Sequence, residues 1–404
     1  MTGDLTRRTR AAGPGPGDVL EALLDGLPRT RAEIGALTGL SRSTVAARVD
    51  ALVAAGLVVA AAPAGSSGGR PATRVAFNPR ARVVLGIDLG ATHATVAVCD
   101  LAEEILAART VPLEIAGGPA AVLGTVVDMA VALLAELSLT VSDVAAVGVG
   151  LPGPVDHALG RPQHPPIMPG WHDADVPALI AERIPAVVLV DNDVNVLALG
   201  EHAASWPDVD DLVYVKVSTG VGAGIIAGGL LQHGARGSAG DLGHVIVPWS
   251  PGDVRPAGER RELEDVASGA ALAAALREAG TPARSARDVV ALVLAGDRAA
   301  IDAVRQAGRE LGTVLATVVT LLGPSVIVIG GTIARAGEHL VAGVREVVYG
   351  SSTPLASRNL QIVPARADEN AGARGAAILA SRAVLAPDSI HRLIHPTVPR
   401  GESA

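Results

Sequence analysis

The chain is poor in cysteine, lysine and aromatic residues. Cys99 is the one cysteine among 404 residues, which excludes an intrachain disulfide and a thiolate zinc cluster. Aromatic side chains make up 1% of the sequence while apolar residues reach 49%. The cores must therefore be built from Ala, Val and Leu, and the composition is that of a folded chain. No apolar run reaches the roughly 18 residues that cross a bilayer, and residues 1–10 are polar, without a signal-peptide core. These absences predict a cytoplasmic protein with no membrane partner. Lys216 is the only lysine, so the basic side chains are almost all Arg.

The net charge of −8 is unevenly spread. Residues 1–82 carry 11 Arg against 6 Asp and Glu, a net of +5, which leaves −13 for the remainder. A basic end on an acidic body points that end toward a polyanion. Residues 17–60 show three helical patterns. The first, "GDVLEALLDGL", puts Val19, Leu20, Leu23 and Leu24 on one face. The second opens with Thr30 and Glu33 as a capping box, with Ile34 and Leu37 inside. Gly39 suits a tight turn, and Ser41 can cap a third helix whose Val45, Val49, Leu52 and Val53 form a buried stripe. Ser41, Arg42, Ser43, Thr44 and Arg48 are left to face DNA in a helix-turn-helix. "VVAAAPAGSSGGRPATRVAFNP" then reads as a wing with Arg70 at its tip, placed for phosphate or a minor groove. The blander alternative is a three-helix protein-contact module with a linker hairpin.

From Val83 onward strands and helices mix. Two hairpins with glycine turns, near 90 and near 220, form a rough internal repeat, each opening one half of a duplicated α/β domain with a cleft between. Asp88, Gly90 and Thr92 place a carboxylate and a hydroxyl at the first turn, where backbone N–H groups can face phosphate. Thr219, Gly220 and Gly222 form the second turn, and Gly330-Gly331 after an apolar strand could admit a flat base. Taken singly, each is equally well an ordinary turn. Asp191-Asn192-Asp193 ends an apolar strand, where α/β ligand sites form, and a carboxylate there could take a proton from an attacking hydroxyl. Asp241, His244 and Glu264 are a carboxylate, an imidazole and a carboxylate suited to paired hydroxyls; His244 alone would read as a structural histidine.

The order of "DLGAT", "GVGLPGPVD", "PGW" with Trp171, "DNDVN", "STGVGAG", "AGDLGH", "ELEDVASG" and "IVIGG" resembles the ROK family of repressors and sugar kinases over nearly the whole chain. The wing running into "VLGIDLG" is similar to its regulator branch. The resemblance implies a winged helix-turn-helix ahead of a two-lobed, actin-like, hexokinase-type (ribonuclease H-like) α/β fold. The expected parts are a tail at 1–16, the DNA-binding domain at 17–80, a first lobe at 81–200 and 372–387, a second lobe at 201–371 and a flexible tail at 388–404. It also implies that Gly153, Asn192, Asp193, Asp241, His244 and Glu264 meet a sugar, with Asp193 as base in any kinase. Asp88, Gly90, Thr92, Thr219, Gly220 and Gly222 would face phosphates, and Gly330 and Gly331 adenosine.

Departures from the family pattern cut against catalysis. The family's Gly-Gly-Thr-Lys turn is here Gly90-Ala91-Thr92-His93, which adds a Cβ and removes a fixed charge. Asp241 stands in place of the usual Glu. Arg255, Ala257 and Glu262 occupy the three cysteine positions of the family's zinc loop, while Gly258 and Glu264 remain, so no structural zinc and no other metal is expected, with Arg–Glu contacts holding the loop. The expectation is a sugar-responsive regulator, most simply a repressor, binding operator DNA as a homodimer or homotetramer without a required cofactor. The alternative is a sugar kinase of the hexose or N-acetylhexosamine class using ATP and Mg2+.

Overall fold

The computed structural model describes residues 15–61, 73–249 and 260–394. The N-terminal unit starts with α1 (Pro16–Glu21), followed by β1 (Arg29–Thr30), α2 (Arg31–Thr38) and α3 (Arg42–Ala54). The Thr30–Glu33 capping box forms in both directions, at 3.2 and 2.7 Å. Gly39 adopts φ 72° to end α2, and Ser41 Oγ accepts from Thr44 N at 3.2 Å to start α3. Strands β2 (Val58–Ala61) and β3 (Arg74–Phe77) make the antiparallel wing, with β1 on the far side of β3. Val19, Leu20, Leu23, Ile34, Val45, Val49 and Leu52 are fully buried. Leu24, Leu37 and Val53 are not part of that core: they are 38%, 62% and 45% exposed. Leu24 falls outside the helix because α1 ends at Glu21, and the stripe of α3 is narrower than its spacing suggested. The wing tip, with Arg70, lies outside the described residues.

The first lobe follows. Its strands are β4 (Val83–Leu89), β5 (His93–Asp100), β6 (Ile105–Pro112) and β7 (Val144–Leu151), with α4 (Pro119–Glu136) covering one face. A small ribbon, β8 (Val155–Asp156) with β9 (Arg161–Pro162), precedes α5 (Val176–Ala181), β10 (Val187–Asn192) and α6 (Asp193–Ser205). The second lobe contains β11 (Leu212–Val217), β12 (Val221–Ala227), β13 (Leu230–Leu231), α7 (Glu264–Ala267), α8 (Gly269–Glu278), α9 (Ala286–Leu294) and α10 (Arg298–Leu322). It continues through β14 (Val326–Gly330), α11 (Glu338–Ser351), α12 (Pro354–Ser357) and β15 (Gln361–Pro364). The sheets run β10-β7-β4-β5-β6 and β13-β12-β11-β14-β15. In each, an antiparallel three-strand meander is extended by two parallel strands. The suspected repeat is therefore a duplication of one topology, the two-lobed actin-like plan.

Helix α4 corrects the expectation that no segment is long and apolar enough to span a bilayer: by length and composition it is. Its Val122, Leu123, Val126, Val127, Leu133 and Leu134 instead bury against the first sheet, making it a core helix.

After the second lobe the chain returns through α13 (Ala371–Leu385) to the first sheet. This helix sits so close that glycines are obligatory around it. A Cβ on Gly86, Gly148 or Gly200 would lie 1.8–1.9 Å from carbonyl oxygens of α13, and one on Gly375 would lie 1.7 Å from Val196 O. The expected boundaries shift accordingly. Helix α6 runs through the 200/201 border, and residues 388–394 are not a free tail. They belong to α14 (Pro387–Ile394), which packs on α1 with Ile390 fully buried. One apolar cluster joins the winged unit, β4, β5, α13 and α14. Loss of apolar surface to water drives that docking, a long-range contact invisible in local sequence.

Candidate ligand cleft and DNA-facing helix

Between the lobes, the end of β10 and the start of α6 carry Asp191, Asn192 and Asp193. Asn192 caps α6, its Oδ1 accepting from Val194 N at 2.8 Å, and its Nδ2 donates to Gly153 O at 2.6 Å. Gly153 and Asn192, both expected to meet a sugar, are thus in direct contact. Asp191, 2% exposed, accepts from Asn195 Nδ2 at 2.7 Å and pairs with His233 Nε2 at 2.6 Å across the lobes. His157 stacks on His233 with centroids 4.5 Å apart. Asp193 is buried and accepts from the Lys216 ammonium, which β11 delivers from the opposite lobe. Asp88, also buried, lies beside them. Burial, then the neighbouring Asp193 charge, push its carboxyl up to about 7, with Lys216 pulling the other way. Its carboxylate leaves no room for a Cβ on Gly372 of α13, which would fall 2.2 Å from Oδ2.

Asp241, His244 and Glu264 gather beside the first residues of β12. A Cβ on Gly240 would meet Ala223 O at 1.9 Å, and one on Gly243 would meet Val221 O at 2.7 Å. Asp241 and His244 are exposed. His244 Nδ1 shares a 2.7 Å hydrogen bond with Glu262 Oε2, the chief reason its pKa is raised; Asp241 and Glu264 add to it. So Glu262, at a position where the family has a zinc cysteine, holds the histidine. Arg261 pairs with Glu310 at 3.0 Å in a setting that is 13% and 10% exposed. The Arg–Glu contact expected for this loop thus exists as a largely buried pair. Arg255, Ala257 and Gly258 lie outside the described residues.

The glycine turns are crowded by side chains of the chain itself. At Gly90, the position of a Cβ is 2.2 Å from the His93 ring, which folds over the turn. Burial, then Lys216 and Arg287, lower the His93 pKa and keep the ring neutral. At Gly220 that position is 2.5 Å from Glu264 Oε2, and the same oxygen accepts from Val221 N at 2.9 Å. At Gly330 it is 2.0 Å from Tyr214 Oη. All three glycines make room for side chains of this chain itself. Gly331, with φ 88°, faces Val217 O, and only Gly222 keeps ordinary space, 3.6 Å from Val194. Thr92 and Thr219 are exposed, Thr92 receiving Arg287 Nη2 at 3.4 Å. Ala91 is not in the left-handed region, so its extra Cβ carries no backbone strain. A carboxylate accepts from Val221 N on the second turn, an imidazole stands over Gly90 on the first, and an ammonium stands on Asp193, so groups that would meet a nucleotide's phosphates and metal are engaged within the chain. Lys216 and Tyr214 escaped the sequence reading. The available signal was a lone lysine on the second hairpin of a repeat.

On α3, Arg42 and Ser43 are exposed, while Thr44 and Arg48 are half-buried. Arg48 Nη1 has no hydrogen-bond partner among the described residues. The Ser41 hydroxyl is committed to Thr44 N, Thr44 Oγ1 and Ser43 Oγ, so it positions the helix start and is not itself a free DNA-facing donor.

A winged helix-turn-helix fused to a duplicated, clefted α/β body defines a DNA-binding protein with a small-molecule-type cleft. The chain belongs to the ROK family, whose model matches residues 84–383; the MarR family model matches residues 14–66. A xylose repressor of Bacillus spizizenii is 26% identical over 360 residues, covering 88% of this chain and 92% of that protein. A glucokinase of Thermotoga maritima is 30% identical over 312 residues, covering 73% of this chain and 96% of that one. A crystal structure of a ROK family transcriptional regulator, a homologue of the E. coli MLC protein, superimposes with a TM-score of 0.78 at 26% identity, covering 94% of this chain and 98% of the other.

Proposed function

We propose that this protein is a cytoplasmic, sugar-responsive transcriptional repressor. It binds operator DNA through α3 and the wing, and its cleft takes a sugar through Asn192, Asp193, Asp241, His244 and Glu264. The observation that carries the reading is the single apolar core shared by the winged unit, the first lobe and α14. That core gives a rearrangement of the first lobe a direct packing path to the DNA reader. The match to a repressor along most of the chain supports it, as does the match to a glucokinase that covers a smaller share. As a homodimer or homotetramer the protein would present recognition helices roughly 34 Å apart to a palindromic site. A sugar favouring one lobe arrangement would alter that spacing. No cofactor is required.

A kinase reading draws on one observation, the survival of Asp193 at the head of α6 beside Asn192. The filled glycine turns oppose it. The test is in vitro operator selection with the full chain, then fluorescence anisotropy of the selected DNA against a sugar panel. Release by one sugar, without ADP formation in a coupled assay, is the expected outcome. Sugar-dependent ADP release abolished by Asp193→Asn, with no selected DNA, refutes the proposal.

A further inference from the structure

The duplicated lobes place opposite charges at one register position. Asp88 is the last residue of β4 to pair with β7, opposite Gly150. Lys216 is the last residue of β11 to pair with β14, opposite Gly330. Each stands two residues ahead of its turn, one in either lobe, and both are close enough to Asp193 to feel its charge. Asp193 lies between the two sources of charge. The Lys216 ammonium donates to its Oδ2, and the position of a Cβ on Gly150 is 3.4 Å from Asp88 Oδ1 and 3.5 Å from Asp193 Cα. The Lys216 side chain is 23% exposed and that of Asp193 8%, so the pair is only weakly screened by water.

We propose that Lys216 is a built-in cation that takes the place of a divalent metal beside the Asp88 and Asp193 carboxyls of the opposite lobe, leaving Asp193 a hydrogen-bond acceptor for a sugar hydroxyl and not a base. The sugar part of this statement rests on the regulator reading; the cation part does not. A general base must offer a free lone pair to the attacking hydroxyl's proton. Here one carboxylate oxygen is covered by the Lys216 ammonium. A divalent ion bound by the same carboxylates would stand against a fixed positive charge in a site mostly closed to water. The compact, three-donor ammonium suits this position because it can follow a carboxylate without demanding the planar fork of an arginine. The Glu264 carboxylate on Val221 N denies phosphate the second turn independently.

The probe is Mn2+ alone, titrated into the full chain and counted by electron paramagnetic resonance. The unaltered protein and Lys216→Arg are expected to hold no ion that depends on Asp193. Lys216→Met should gain one site, about tenfold or more tighter than any in the parent, and lose it again with Asp193→Asn. An Asp193-dependent Mn2+ site in the unaltered protein, or no gain in a folded Lys216→Met, overturns the proposal. A measurement on the unaltered side-chain set guards against misfolding of the variant. Reductive methylation with labelled formaldehyde marks the single lysine, together with the chain's terminal amine. The Lys216 methyl resonance should be displaced from that of free dimethyl-lysine and stay sharp in Mn2+. A free-lysine position, or selective Mn2+ broadening, overturns the proposal. Neither readout uses DNA or sugar, so failure of operator release would sink the regulator reading alone.

Discussion

Removing the Asp88 carboxyl should make the protein more stable in mild base. Asp88 is 8% exposed, and burial together with the Asp193 charge lifts its pKa from 3.8 to about 7. The folded state therefore holds a proton that the unfolded chain has released over the whole window between those values. Stability is highest at low pH for this group and falls as pH rises toward 7, the opposite of a salt-bridged carboxylate. Integrating the two titrations gives a cost of about 1.5 kcal/mol at about pH 5 and about 4 kcal/mol at about pH 8. Asp88 alone should then account for about 2.5 kcal/mol of lost stability across that span. Asp88→Asn keeps the shape and removes the titration. The assay is urea unfolding of the full chain, read by tryptophan emission, for parent and variant at both pH values. The difference between the two pH slopes reports Asp88 together with its coupling to the Asp193 and Lys216 charges beside it. Equal slopes would refute the placement of a buried, charge-crowded carboxyl at this point.

Three further outcomes follow from the structure. Arg42→Ala should weaken operator binding by about 1–3 kcal/mol, and a phosphate-contacting Arg48→Ala should also flatten the salt dependence, both read by anisotropy over a range of salt. Gly148→Ala should cost about 1–3 kcal/mol or more, read as a lowered Tm, because its Cβ position lies 1.8 Å from Ala376 O and backbone must yield. His233 gains Asp191 as a partner, and that bond, ahead of the opposing effect of burial, raises its pKa. Its contribution is full below the ordinary histidine pKa and lost as pH climbs through the raised one. His233→Gln should therefore lower the Tm in mild acid and leave it nearly unchanged in mild base; an equal loss at both would show that the ion pair is not the source.

What could be read in the sequence was local or repeated. Thr30 with Glu33, Gly39 and Ser41 announce helix ends within four residues of themselves, and the caps formed as expected. The two hairpins share a turn chemistry, and duplication followed. Asn192 and Gly153 were both named through the family resemblance, and the fold brings them into contact. What could not be read is mostly non-local. Gly90, Gly220 and Gly330 looked alike, but the side chains against them are His93, three residues on, and Glu264 and Tyr214, up to 116 residues away by the numbering. A glycine reports that something approaches the backbone; only the fold says whether that is a ligand or the chain itself. Helix α14 was missed for the same reason, since its partner α1 lies at the other end of the sequence.

Helix α13 has a mechanical consequence. At its start Gly372 abuts the Asp88 carboxylate; along its length it meets sheet and helix through bare backbone; at its end it turns into α14, which grips α1. Contacts of glycine on carbonyl have no side chain to bend, so the helix behaves as a stiff pushrod of about 22 Å. A tilt of about 5° at the cleft end would carry the far end about 2 Å, and a winged unit clamped there would swing with it. The protein would then need no large closure of its lobes to change how far apart two recognition helices stand. A small adjustment under one carboxylate, geared up along a single rod, would suffice.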